Sequence, residues 1–168
     1  MGTQITFKGG PLNLDGNLVK VGDAALDFAV VNGDLQKRSL KDYAGKIKVI
    51  TTFPSIDTPV CDLQVREFNK RAAGLSKDVV ILGISKDLPF AQKRFCAAQG
   101  ISGVEVLSDY QSSDFSIKYG LLIKELALTA RSVLIVDKTN KVRYVQLVKE
   151  LTDSPNFDTV FAELKKLI

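Results

Sequence analysis

At 168 residues, 45% of them hydrophobic and 25% charged, the chain has the composition of one soluble globular domain, and no apolar run reaches the ~20 residues that cross a bilayer. The net charge of +4 is spread evenly: residues 1–84 carry 11 basic and 9 acidic side chains, residues 85–168 carry 12 and 10, so the clustering that binds nucleic acid is missing. Histidine is absent, which excludes a Ser-His-Asp triad, a Cys-His dyad and imidazole metal ligands, and no phosphate-binding loop or GxGxxG occurs. Residues 3–7 and 11–15 read as a short hairpin across Gly9-Gly10. A strand is predicted over Asp27–Val31, a turn at Asn32-Gly33-Asp34, and a return through Leu35–Arg38. Ser39 caps a short helical turn ending near Gly45. The β-branched run 47–53 is a buried strand, and a helix over 59–74 presents Val65, Phe68, Ala72 and Leu75 to the core.

Residues 79–85 are apolar almost throughout, as in a parallel strand covered on both faces. A helix over 88–99 opens at Asp87-Leu88-Pro89 and stops at Gly100; a short strand follows at 104–107 and a brief helix at 113–119. Segment 120–130 shows no period and reads as loop. Strand 132–136 turns through Asp137–Asn140 into 142–148, and Ser154-Pro155 caps a last helix with Phe157, Val160, Phe161, Leu164 and Ile168 on one stripe. This order predicts a single α/β domain over 1–168, its sheet parallel in the first half and antiparallel in the second. No signal peptide is visible, so a cytoplasmic location is expected.

The chemistry is concentrated between the 47–53 strand and the 59–74 helix. Thr58-Pro59 is a helix start, a threonine N-cap followed by a proline at the first helical position. Cys61 therefore falls in the first turn, where free backbone N–H groups and the positive end of the helix dipole favour a thiolate. An arbitrary cysteine is a small buried apolar residue, but this position and the prolines on either side, Pro54 and Pro59, argue for reactivity. Thr58 either caps the helix or hydrogen-bonds the thiolate or its oxidant. Pro54 either shapes the loop or shields the sulfur. Asp57 and Asp62 oppose ionisation of the thiol unless they face solvent. A cation is needed, and Arg131, directly before an apolar strand, is the foremost candidate; Arg66, about one turn after Cys61, is the second, although a solvated helix face suits it as well. Cys96 is either a buried helix residue or a thiol that condenses with oxidised Cys61, which would require local unwinding if the helices hold the sulfurs apart.

Pro54-Ser55-Ile56-Asp57-Thr58-Pro59-Val60-Cys61 matches the PxxxTxxC signature of the peroxiredoxins, and Ser85–Gln92 followed by Arg94-Phe95-Cys96 resembles the bacterial thiol peroxidase subfamily, as does Ala130-Arg131-Ser132-Val133. The resemblance spans nearly the whole chain. It implies a thioredoxin-like three-layer sandwich with an N-terminal β-hairpin, and a peroxidase acting on hydrogen peroxide and organic hydroperoxides without metal or other cofactor. It further implies Cys61 as the peroxidatic thiolate and Cys96 as the resolving cysteine of an intramolecular disulfide. On the same resemblance, Thr58 and Arg131 are expected to hold and polarise the peroxide, and Pro54 to shield the sulfur. A homodimer recycled by thioredoxin is expected. The alternative is a redox sensor or holdase switched by the same disulfide. Two departures stand out: Ala25-Leu26 in place of a common Ala-Pro, and Lys86 where a small or apolar residue is usual, which is expected to alter the surface that meets the reductant.

Overall fold

The computed structural model describes residues 2–168. An N-terminal hairpin pairs β1 (Gln4–Phe7) with β2 (Gly10–Asp15), and its two-residue turn takes positive φ at both Lys8 and Gly9. The chain continues through β3 (Val30–Val31), β4 (Lys37–Arg38), a 3-10 turn at Leu40–Tyr43, β5 (Ile47–Thr52), α1 (Pro59–Ala72) and β6 (Val79–Ser85). Then come α2 (Pro89–Gln99), β7 (Glu105–Ser108), α3 (Asp114–Lys118), β8 (Leu122–Ile123) and β9 (Leu128–Thr129). The chain closes with β10 (Ser132–Val136), β11 (Val142–Leu147) and α4 (Phe157–Lys165).

The main sheet has the order β11-β10-β5-β6-β7-β3-β4. Its β5, β6 and β7 run parallel and its remaining pairs antiparallel, as the order of elements predicts. Side-chain alternation sets the layers. Val49, Ile81, Val106, Val133 and Ile135 pack with Val65 and Phe68 of α1, Val160 and Leu164 of α4, and Ala91, Phe95 and Cys96 of α2. Ile50, Leu82, Leu107, Leu134 and Val136 point the other way, onto Leu40, Tyr43, Phe115, Tyr119 and the small N-terminal sheet. The central strands are covered on both sides, which is why they read as unbroken apolar runs.

Three expectations are corrected. Segment 120–130 is not a loop: β8 and β9 form a second hairpin that pairs with β2, giving a four-stranded sheet of order β1-β2-β8-β9. Two-residue strands are too short to show a period, and Ala127, at φ 53°, lets the turn close. The predicted 27–31 strand shrinks to Val30–Val31, because Asp27 uses its carboxylate on the N–H groups of Phe28 and Leu40. The last helix is capped by Asn156, whose side chain accepts from Thr159 N–H at 3.1 Å, so Ser154-Pro155 lies before the cap.

Candidate active site

β5 ends at Thr52, and the chain passes through Phe53 and buried Pro54 into the start of α1. Thr58 is the N-cap in extended backbone (φ −98°, ψ 147°) and Pro59 holds the first helical position, as its spacing predicts. The Thr58 hydroxyl accepts from Cys61 N–H at 3.3 Å and donates to Ser55 O at 3.3 Å. Both bonds are long, so the hydroxyl can rotate to another partner at small cost. Cys61 itself is fully buried, among Phe53, Ile56, Val65 and Phe68.

Arg131 reaches the same place by register. Ser132 pairs with Thr52 across β10 and β5, so Arg131 stands one residue beyond one strand and Phe53 one residue beyond the other. Arg131, Val133 and Ile135 alternate onto the face that α1 covers. The guanidinium is 2% exposed; Nε and Nη2 donate to Leu151 O at 3.1 and 2.9 Å, and Nη1 donates to Gln64 Oε1 at 2.8 Å. Gln64 is one turn after Cys61, and its Nε2 donates to Thr51 Oγ1 at 2.5 Å and Thr52 O at 3.0 Å. A buried cation is thus oriented from both the helix that carries the cysteine and the strand that leads to it.

Pro54, Thr58 and Arg131 line one cavity of about 380 Å³ with Phe7, Lys8, Val60, Leu126, Leu128 and Leu151, so the space beside the cysteine's turn is walled mainly by apolar groups. Both hairpins of the small sheet contribute to that wall. Glu150 ties the first in place, accepting from Thr6 Oγ1, Lys8 N and Gly9 N.

Of the other predicted residues, Arg66 is exposed and paired with Asp62 along the helix surface, which takes up the Asp62 charge as well. Asp57 is exposed. Lys86 donates from Nζ to Ser113 Oγ, so it is fastened to α3 rather than free at the surface. Cys96 packs, half-buried, against the core that holds Cys61, but lines a different cavity with Gln92, Lys93 and the Asn32–Asp34 turn. Burial pushes its thiol above the ordinary cysteine value. Both cysteines are free thiols.

Sequence reasoning missed two residues. Gln64 is a polar residue on the buried stripe 61–64–65–68, a position that demands a buried partner and was its only local signal. Asp87 read only as part of a helix start, yet its carboxylate accepts from Ser55 Oγ and Ile56 N in the loop before Cys61, both at 2.9 Å.

A cysteine in the first turn of a helix whose Gln64 also binds a buried arginine, on a sheet of this topology, defines a thioredoxin-like protein of the peroxiredoxin kind. Residues 20–161 match the Redoxin family. A thiol peroxidase of Oceanobacillus iheyensis is 49% identical over 98% of this chain and 99% of its own, and a thiol peroxidase of Bacillus subtilis strain 168 is 50% identical over 98% of each. The crystal structure of a peroxiredoxin-like protein from Aquifex aeolicus matches with a TM-score of 0.93 at 44% identity, covering 98% of this chain and 97% of that one. The chain belongs to the Redoxin family.

Proposed function

We propose that this protein is a thiol-dependent peroxidase that reduces hydroperoxides at Cys61. The observation that carries the reading is a helix-start cysteine one turn from Gln64, which holds a buried, doubly anchored arginine that lines an apolar cavity. The Cys61 thiolate attacks one peroxide oxygen, the O–O bond breaks, and with one proton the products are Cys61 sulfenic acid and an alcohol or water. Charge builds on the departing oxygen. In this reading buried Arg131 and the rotatable hydroxyl of Thr58 meet that charge, and Pro54 adds a wall without an N–H; the burial of the guanidinium and the shared cavity lining support it. The helix N-terminus favours the thiolate before attack.

Cys96 then condenses with the sulfenic acid, forming a Cys61–Cys96 disulfide and releasing water, and an external dithiol such as thioredoxin returns both thiols. The apolar walls favour organic hydroperoxides alongside hydrogen peroxide. A homodimer in the cytoplasm completes the proposal. Among the described residues no helix is long and apolar enough to cross a membrane. The test is consumption of cumene hydroperoxide with thioredoxin, its reductase and NADPH, beside Cys61→Ser. Sustained turnover lost in the variant is the expected result. A single stoichiometric oxidation without recycling by any dithiol overturns it.

A further inference from the structure

The two cysteine-bearing segments are joined by one small polar network. The Asp87 carboxylate accepts from Ser55 Oγ and Ile56 N–H, which belong to the loop leading to Cys61. It also accepts from Ser85 Oγ at 2.5 Å, at the end of β6. Ser85 Oγ in turn accepts from Gln92 Nε2 at 3.0 Å, and Gln92 is buried in α2 exactly four residues before Cys96, one turn away. Ser108 Oγ donates to the Asp87 carbonyl, and Gln92 Nε2 also donates to Leu107 O at 2.9 Å, so β7 anchors the same unit. Ser55 also lines the cavity of Arg131 and Gln92 the one that holds Cys96, while Asp87 and Ser85, which join them, line neither.

Disulfide formation brings the two segments of this arrangement together. Cys61 is fully covered, and Cys96 lines a cavity to which Pro54, Thr58 and Arg131 do not contribute. Both cysteines pack against one core cluster, on two segments that this network holds in place, and a disulfide demands its own Cα spacing and Cβ directions, so the ease with which the two segments shift bears on closure. Taking Cys61 and Cys96 as the peroxidatic and resolving pair, we propose that Asp87 is a positioning residue that latches the Cys61 loop to the base of the Cys96 helix and thereby sets how fast the pair can close.

The latch governs a competition. Cys61 sulfenic acid either reacts with the Cys96 thiol, giving disulfide and water, or with a second hydroperoxide, giving sulfinic acid and an alcohol or water. A tight latch keeps the loop folded and gives the second peroxide more time; a loose one favours the disulfide. Hydrogen bonds to a charged carboxylate are the strong ones, and losing them should raise the open population about ten-fold.

The experiment treats fully reduced protein with one equivalent of cumene hydroperoxide and then with a rising excess, quenches with an alkylating reagent, and counts disulfide and Cys61 sulfinic acid by mass spectrometry. For Asp87→Ala, the peroxide concentration that sends half the chains to sulfinic acid should rise about ten-fold, with Asp87→Asn between it and the parent. Sulfinic acid is counted against disulfide, so inactive molecules drop out, and a surface variant with an equal loss of Tm, which should leave the ratio at the parental value, separates the latch from general destabilisation. Ser55→Ala removes one partner only and should shift the ratio several-fold in the same direction, which keeps the test open if the Asp87 variants fold poorly. A ratio that is unchanged or lowered overturns the latch. A parent protein that forms no Cys61–Cys96 disulfide overturns instead the reading of the two cysteines.

Discussion

Gln64→Leu is the substitution that most sharply tests how Arg131 is held. Leucine nearly fills the space of glutamine but removes three hydrogen bonds: from Arg131 Nη1 to Oε1, and from Nε2 to Thr51 Oγ1 and Thr52 O. At a net 0.5–1.5 kcal/mol each, the loss of stability is about 2–4 kcal/mol, which for a chain of this length lowers Tm by about 5–15 °C. Arg131 keeps only Leu151 O as a partner, so its guanidinium is no longer aimed from the α1 side. A misplaced donor at a centre of developing charge costs about 10- to 100-fold in rate, short of the loss expected when the donor is deleted. The chain has no tryptophan, so the oxidation rate of Cys61 is best followed by rapid quench, alkylation and mass spectrometry, at a temperature well below the variant's melting point. A second-order rate equal to that of the parent, with the Tm lowered as stated, would refute the argument that Gln64 acts on catalysis through Arg131.

Cys96→Ser should oxidise once at the parental rate and then fail to recycle with thioredoxin; normal cycling by that variant rules out the intramolecular disulfide. Because burial raises the Cys96 thiol and only the thiolate attacks, disulfide formation should accelerate as pH rises from 6 to 9, and a flat profile in single-turnover quench experiments contradicts this. N–H groups of Thr152 and Gly9, with the Thr152 and Thr6 hydroxyls, hold the Glu150 carboxyl well below its ordinary 4.5, at about 2. A depressed carboxyl stabilises the fold above the unfolded value and loses that contribution as pH falls, so hydrogen-exchange protection of the Gly9 and Thr152 amides, taken relative to their intrinsic exchange rates, should fall between pH 4.5 and 2, while protection that stays constant refutes the tie. Phe7→Ala opens the cavity wall and should raise KM for cumene hydroperoxide several-fold more than for hydrogen peroxide; equal changes would show that this wall does not meet the organic group.

What the sequence made legible was local. A threonine cap, a proline at the first helical position and a strand before them are decided within a few residues, and Cys61 in the first turn follows from those residues alone. The core strands announced themselves because both of their faces are covered. The second hairpin did not, since two-residue strands acquire their meaning from β2, more than a hundred positions away. Gln64 and Asp87 were hidden for the same reason. Their roles lie in partners brought together by the fold, Arg131 for one and the Ser55 hydroxyl with the Ile56 N–H for the other, and neither residue type in itself suggests them. Arg66 had the right charge and spacing, but its neighbour Asp62 on the same helix surface was the nearer partner.

The position of Arg131 shows how packing fixes chemistry. Its approach to α1 depends on Ser132 facing Thr52, and that register is enforced by the alternation that follows: Val133 and Ile135 under the helices, Leu134 and Val136 toward the opposite layer. A slip of one residue would send each of these side chains to the wrong face and would turn Arg131 away from Gln64. The Thr52 and Ser132 hydroxyls reinforce the pairing, lying 2.6 Å apart, while Thr52 also donates to Ala130 O at 2.7 Å. The apolar residues of β10 therefore position the cation as firmly as its hydrogen-bond partners do. The site tolerates a buried charge because, in this register, Leu151 O and Gln64 Oε1 accept from the guanidinium.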